Sequence, residues 1–109
     1  MKPIKRGEIW WVSLDPTQGS EIRKTRPCVM MSHNTLNQHR QTVIVVPLST
    51  AAKAHPPITI PVTCKKKQVM AVVDQVRAVS KHRLKSRLDN LEQAQLSELG
   101  DALKVILSL

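Results

Sequence analysis

A mainly β domain of the α+β kind, most simply a small barrel or strongly curved sheet with a short helical turn and one C-terminal α-helix, is what this sequence predicts. Three observations point there. The first 80 residues break into short apolar or alternating runs bounded by turn residues. Pro61 falls inside one of those runs and confines it to a sheet edge, because proline cannot donate to a ladder. Towards the C-terminus, Leu96, Leu99, Leu103 and Ile106 recur at i, i+3, i+7 and i+10, the period of an amphipathic helix.

The runs are read in order. Glu8 to Leu14 is apolar on both faces (Ile9 and Trp11 against Trp10, Val12 and Leu14), as an interior strand requires. Asp15-Pro16 and Gln18-Gly19-Ser20 then supply turn chemistry in a loop that carries Glu21, Arg23 and Lys24. Arg26-Pro27 opens a second strand, Pro27–Met31, reaching Ser32. Residues His33–Gln41 and Thr50–Pro57 read as polar or proline-rich connections on either side of the apolar strand Val43–Leu48. The run Ile58–Thr63 is the edge strand that holds Pro61. For Lys65-Lys66-Lys67-Gln68 two readings stand, a solvated hairpin tip and a phosphate-contacting segment. Met70–Val76 is apolar until Asp74-Gln75 and continues as Arg77-Ala78-Val79. Ser80 is an N-cap for one short helical turn over Lys81–Leu84. The last helix spans roughly 92–108, its stripe widened by Ala102 and Leu107; Gly100 costs it about 1 kcal/mol against alanine without breaking it.

A chain of 109 residues, 1–109, is expected to be one domain with one core, and no linker or repeat divides it. The basic N-terminus lacks the apolar core of a signal peptide, and no apolar run is long enough to span a bilayer, so a cytoplasmic address with no membrane contact is expected. Cys28 and Cys64 stand alone, away from any CxxC or ligand spacing, and are expected to be free, buried hydrophobes.

Seventeen Lys and Arg against eight Asp and Glu give a formal charge of +9, which points to an anionic partner: nucleic acid, an acidic protein, or both. With no Phe or Tyr and only the adjacent Trp10 and Trp11, the chain lacks the aromatic platforms on which RRM and OB modules stack bases. The four histidines are scattered and the acids do not cluster, so no metal site is expected. Neither G-x-S-x-G nor a Walker-type phosphate loop occurs.

What remains suits a phosphodiester. Arg26 is a cation at a strand entrance, Thr50 offers a hydroxyl at a strand end, and Asp74 with Gln75 interrupts an apolar strand. RNA brings its own nucleophile, the 2′-OH, so an enzyme need only hold it in line and stabilise the charge on phosphorus. Arginine fits the second task because its planar fork holds two phosphate oxygens. Such a reaction leaves a 2′,3′-cyclic phosphate and a 5′-OH, needs no metal or other cofactor, and cannot act on DNA. Each residue also has a structural reading: Arg26 as a strand-end ion pair with Glu21 or Asp74, Asp74 as an acceptor for backbone N–H groups, the tryptophans as packing.

Four blocks together resemble the MazF/PemK family of toxin–antitoxin endoribonucleases: Gly7-Glu8-Ile9-Trp10-Trp11-Val12-Ser13-Leu14-Asp15-Pro16; Gly19-Ser20-Glu21 through Arg26-Pro27; Val46-Pro47-Leu48-Ser49-Thr50; and Val73-Asp74-Gln75-Val76-Arg77. The resemblance covers nearly the whole chain. It implies an SH3-like β-barrel with a C-terminal helix and a homodimer. It implies a cytoplasmic, growth-arresting, sequence-specific mRNA interferase that cleaves single-stranded RNA without metal or ribosome. It also implies a cognate acidic antitoxin as inhibitor, with operator DNA reached only through that antitoxin.

Within the resemblance, Arg26 matches the catalytic arginine, Thr50 the catalytic threonine, and Asp74 an acid that some members use as a base. Ser20, Glu21, Lys24, Thr25, Ser49, Gln75 and Arg77 fall where RNA contacts are expected. Members that use the acid also carry an arginine two residues earlier, where Val72 stands here, and Lys24 and Thr25 occupy the place of a first-loop histidine found in some relatives. This favours an Arg–Thr version of the mechanism. An arginine stays protonated below about pH 12, so Arg26 is read as stabiliser and proton donor, with Asp74 or a water as base. Two other readings stand beside it. Gyrase-binding toxins of the CcdB group share the architecture but depend on a C-terminal Trp-Gly-Ile tail, whereas this chain ends Ile106-Leu107-Ser108-Leu109. A non-catalytic nucleic-acid binding module accounts for the charge but not for Arg26, Thr50 and Asp74 together.

Overall fold

A computed structural model describes residues 3–14 and 24–109. Strands β1 (Glu8–Ser13), β2 (Thr25–Met30) and β3 (Thr42–Ser49) form an antiparallel floor, with Trp10 opposite Cys28 and Cys28 opposite Pro47. A hairpin of β4 (Thr59–Cys64) and β5 (Lys67–Val72) joins the C-terminal end of β3 through Leu48–Ala71 and Ser49–Met70. Strand β6 (Arg77–Ser80) pairs with the other half of β3, and β7 (Leu84–Asn90) pairs with β1. The path runs β4-β5-β3-β2-β1-β7, with β6 beside β3.

The sheet has a core on each face because β1, β2 and β3 are apolar at both parities. Trp10, Val12, Cys28, Met30, Val43 and Val45 point to the inner face, where they pack with Val79 of β6 and Leu84 of β7. The short 3-10 turn Lys81–Arg83 carries the chain from β6 at one edge of the floor to β7 at the other, and so curls the sheet around this inner core. Ile9, Val29, Val46 and Leu48 point to the outer face. They are covered by Ile60, Val62 and Ala71 of the hairpin and by Leu96, Leu99 and Ala102 of helix α2 (Gln93–Ile106, the second helix in the chain). Burying Leu96 and Leu99 contributes on the order of 3–6 kcal/mol before entropy is charged against it. The result is a curled half-barrel with a C-terminal helix, as the pattern of runs predicts.

Two glycines earn their places. Gly7 has φ of 92°, and a Cβ there would lie 2.9 Å from Leu96 Cδ2, so only glycine lets the N-terminal segment meet α2. Gly100, a blemish on helical propensity, is where the Arg6 guanidinium crosses the helix, 3.5 Å from where a Cβ would stand.

Several local readings hold. The strand with Pro61 is the outermost in the sheet order. Ser80 Oγ accepts from His82 N at 3.3 Å and caps the predicted turn. Both cysteines are buried and free. Others need correction. Residues 33–41 are not a plain connection but contain helix α1 (Asn34–His39). His33 Nδ1 accepts from Thr35 N at 3.0 Å, and buried Asn37 bonds Ser32 through its backbone carbonyl and its hydroxyl. Asp74 and Gln75 do not interrupt a strand from within; they lie on a 3-10 turn, Val73–Gln75, between β5 and β6. Of the lysine run, Lys65 and Lys66 form the hairpin tip with φ of 51° and 65°, while Lys67 and Gln68 already belong to β5. Strand β7 lies where the sequence pattern shows none.

Candidate active site at the barrel mouth

The site grows from the point where the inner core runs out. Inner-face parity continues along β2 from Met30 and Cys28 to Arg26, along β3 from Val45 and Pro47 to Ser49, and along β6 from Val79 to Arg77. Arg26 and Ser49 thereby meet at one end of the sheet, whereas Arg77, paired with Val45, stands four residues short of Ser49 along β3. Arg26 is paired with Val12 on β1, and extending the β2–β3 register by two residues sets it opposite Ser49, beside Thr50. Thr25, Arg26 and Thr50 are exposed, and Arg77 is half-buried.

Local bonds fix this rim. Lys24, at φ of 68°, presents its carbonyl to Leu14 N at 2.9 Å and extends the β1–β2 ladder to the neck of the first loop. Cys28 Sγ donates to the Arg26 carbonyl at 3.7 Å. Burial pushes the Cys28 thiol up to about 12, opposed by the positive charge of Arg77, so the thiol keeps the proton it donates. Arg77 and Cys28 thus share one face and one field. Ser49 Oγ accepts from Ala51 N at 3.1 Å and Ala52 N at 3.2 Å, turning the chain just past β3, where Thr50 is exposed. Ser49, expected among RNA contacts, has its oxygen committed to this turn and its O–H proton left to give.

Asp74 stands apart in register. The ladder from β3 passes to β6 at Val45–Arg77 and to β5 at Leu48–Ala71, so the turn carrying Asp74 and Gln75 lies level with Val46 and Pro47. The missing N–H of Pro47 falls in that gap, where proline costs the ladder least. Thr50 is three to four residues further along, about 10–13 Å at strand rise. The register therefore sets Arg26 opposite Ser49, with Thr50 the next residue along the chain, and sets Asp74 further back along β3. Ser20 and Glu21 lie outside the described residues.

Sequence reasoning missed Arg83. It ends the 3-10 turn between β6 and β7, and its Nη1 donates to Ser13 O at 3.2 Å, which places a half-buried guanidinium on the same rim as Arg26. Its signal, the last position of a Ser80-capped turn, is visible only once β7 is known to return to β1. Among the described residues, no three His, Cys, Asp or Glu gather to hold a metal, and no helix is long and apolar enough to cross a membrane.

A curled β-sheet whose inner core opens into a rim of arginines and hydroxyls defines a small barrel protein that can hold an anion at one mouth. The comparisons make this specific. The family described as the PemK-like, MazF-like toxin of type II toxin–antitoxin systems matches residues 5–107. Endoribonuclease MazF9 of Mycobacterium tuberculosis is 36% identical over 115 residues, covering 97% of this chain and 98% of that protein. Endoribonuclease MazF of Staphylococcus epidermidis is 33% identical over 111 residues, covering 97% and 92%. In fold, the chain superposes on a crystal structure of MazF from Deinococcus radiodurans with a TM-score of 0.89 at 19% identity, each chain covered in full. It also superposes on an endoribonuclease in complex with its cognate antitoxin from a mycobacterial species, at 0.80 and 21%, covering 100% of this chain and 97% of that one. This chain belongs to the PemK-like, MazF-like toxin family of type II toxin–antitoxin systems.

Proposed function

We propose that this protein, a single domain over 1–109, is the toxin of a type II toxin–antitoxin pair and cleaves single-stranded mRNA in the cytoplasm at a specific sequence, without metal, cofactor or ribosome. The observation that carries the reading is Arg26 standing opposite Ser49, next to the exposed Thr50, at the barrel mouth. A phosphodiester seated there meets a guanidinium fork from β2 and a hydroxyl from the end of β3. The 2′-oxygen attacks phosphorus in line, the P–O5′ bond breaks, and Arg26 stabilises the charge and gives a proton to the leaving 5′-oxygen. The proton of the 2′-OH goes to Asp74. The offset of Asp74 from Thr50 along β3, about 10–13 Å at strand rise, favours transfer through a chain of waters over direct contact. Lys24, Thr25, Gln75 and Arg77, with Ser20 and Glu21 of the first loop, hold the flanking nucleotides.

The active form is a homodimer, and a partly disordered acidic antitoxin silences it. The chain's +9 charge is complementary to such a segment, which would fold on contact across the cationic mouth. Both endoribonuclease relatives and the antitoxin-bound structural neighbour support this reading. The experiment that tests it is digestion of a long single-stranded RNA in EDTA by wild type and Arg26→Ala. Discrete cuts ending in 2′,3′-cyclic phosphate, lost in the variant, are expected. Intact RNA from folded, dimeric wild type would overturn the nuclease and leave a gyrase-binding or purely RNA-binding toxin.

A further inference from the structure

A second cationic feature leads away from the mouth. Arg83, Lys85 and Arg87 alternate along the entry and body of β7, beginning at the rim where Arg83 bonds Ser13 O. The β1–β7 pairing slips between Trp11 and Val12 and again between Ile9 and Trp10, and Lys85 is the exposed residue passed over at the first slip. The second register returns Arg87 to a place opposite Trp10. There a groove of about 520 Å³ opens, lined by Pro3, Lys5, Glu8, Trp10, Ser86 and Arg87.

The groove has the chemistry of a nucleotide seat. Lys5 and Arg87 contribute cations, Ser86 a hydroxyl, and Pro3 with Trp10 an apolar surface. The one carboxylate, Glu8, has its Oε1 bonded by Lys5 N at 2.9 Å and Trp10 Nε1 at 3.0 Å, so that oxygen is held by two N–H donors. Asp89, further along β7, accepts from Lys65 N at 2.7 Å and is turned to the hairpin. Arg87 lies two strands across from Arg26 and two positions along, on the order of 12 Å by strand spacing and rise.

We propose that β7 is a phosphate track. It carries one flank of a single-stranded RNA from the cleavage mouth past Lys85 into the groove, where Lys5 and Arg87 clamp a phosphate beyond the cut. This rests on the endoribonuclease reading and adds to it a contact outside the catalytic mouth.

The test uses full-length protein and RNA oligonucleotides bearing a mapped cut site, either minimal or extended by a few nucleotides at the 5′ or the 3′ end. Wild type is expected to have a KM lower by about tenfold on one of the extended oligonucleotides. The double variant Lys5→Gln/Arg87→Gln should lose that advantage while keeping kcat on the minimal oligonucleotide, which also reports that it is folded. Its binding to the extended RNA should show a log K against log salt slope smaller by about 0.7, the value for the one single-strand phosphate the pair clamps. An unchanged length advantage and salt slope overturn the track. So does a variant that handles every RNA as wild type does but loses affinity for an acidic antitoxin peptide, which assigns the groove to that partner. Equilibrium binding is read in parallel, so a wild type that cuts nothing refutes the nuclease while the track is still scored by length and salt.

Discussion

The inner and outer faces of the same three strands differ in how they end. The outer face stays apolar along its covered length, closed over by α2 and the β4–β5 hairpin. The inner face is apolar through Val12, Cys28 and Val45 and then gives way at one end to Arg26 and Ser49, with Arg77 beside Val45 at its margin. Alternate residues of one strand therefore serve different ends: Val29 holds the fold, while Arg26, three residues back on the opposite parity, stands exposed at the mouth. The difference teaches that strand register alone brings Arg26 and Ser49 to one rim. That rim is the place where a buried row reaches water.

If the outer face is purely structural, damage there should register as stability. Leu99→Ala, beneath α2, should cost about 2–5 kcal/mol, read as a shift in a urea melt, with specific activity of the remaining folded protein preserved. Activity lost in step with no loss of stability would break the comparison. At the mouth the converse is expected. Arg26→Lys keeps the charge but not the fork, and cleavage should fall by about 10²–10³ with the thermal midpoint unmoved, because Arg26 is exposed. Near-normal cleavage would show that bidentate grip is unimportant there.

A smaller effect tests the seam between the N-terminal segment and the outer core. Gly7→Ala forces a Cβ onto Leu96 at a left-handed φ, and should cost about 1–3 kcal/mol in a melt; a silent substitution would mean the helix yields freely. The smallest effect concerns the hairpin that covers the outer face. Backbone N–H groups of Lys65 and Asn90 hold the Asp89 carboxyl below its usual range. Its contribution is present above the ordinary carboxylate pKa and is lost as pH falls through the lowered one. Melts between neutral pH and pH 3 should show a late acid loss in wild type that is missing from Asp89→Asn.

Much of this was legible from residues because it is local. Apolar runs gave β1, β2 and β3, Pro61 marked the edge, Ser80 capped its turn, and a leucine stripe set α2. What escaped depends on distant partners. Helix α1 buries Asn37, with no apolar stripe to betray it, and stands on a bond network with Ser32. Strand β7 reads Leu84-Lys85-Ser86-Arg87-Leu88-Asp89-Asn90, with only Leu84 buried, so its pairing with β1 is a backbone matter that side-chain patterns do not report. Arg83 escaped with it. Arg26 and Thr50 were legible as chemistry, but the offset of Asp74 was not, because it follows from a register change on either side of Pro47.

The pairing of β7 with β1 has a consequence for order of assembly. Glu8 lies beside Asn90, so the first strand made must wait for the last before the sheet can curl shut. Loop closure over such a separation is slow and comes late. A chain still being synthesised can form the β1–β2–β3 floor, with Arg26 and Thr50 already present, yet it has no β7, no Arg83 on the rim and no second wall to the mouth. The completed site is therefore a property of the finished polypeptide, and the cell making it meets the closed barrel only after nearly the whole chain has emerged.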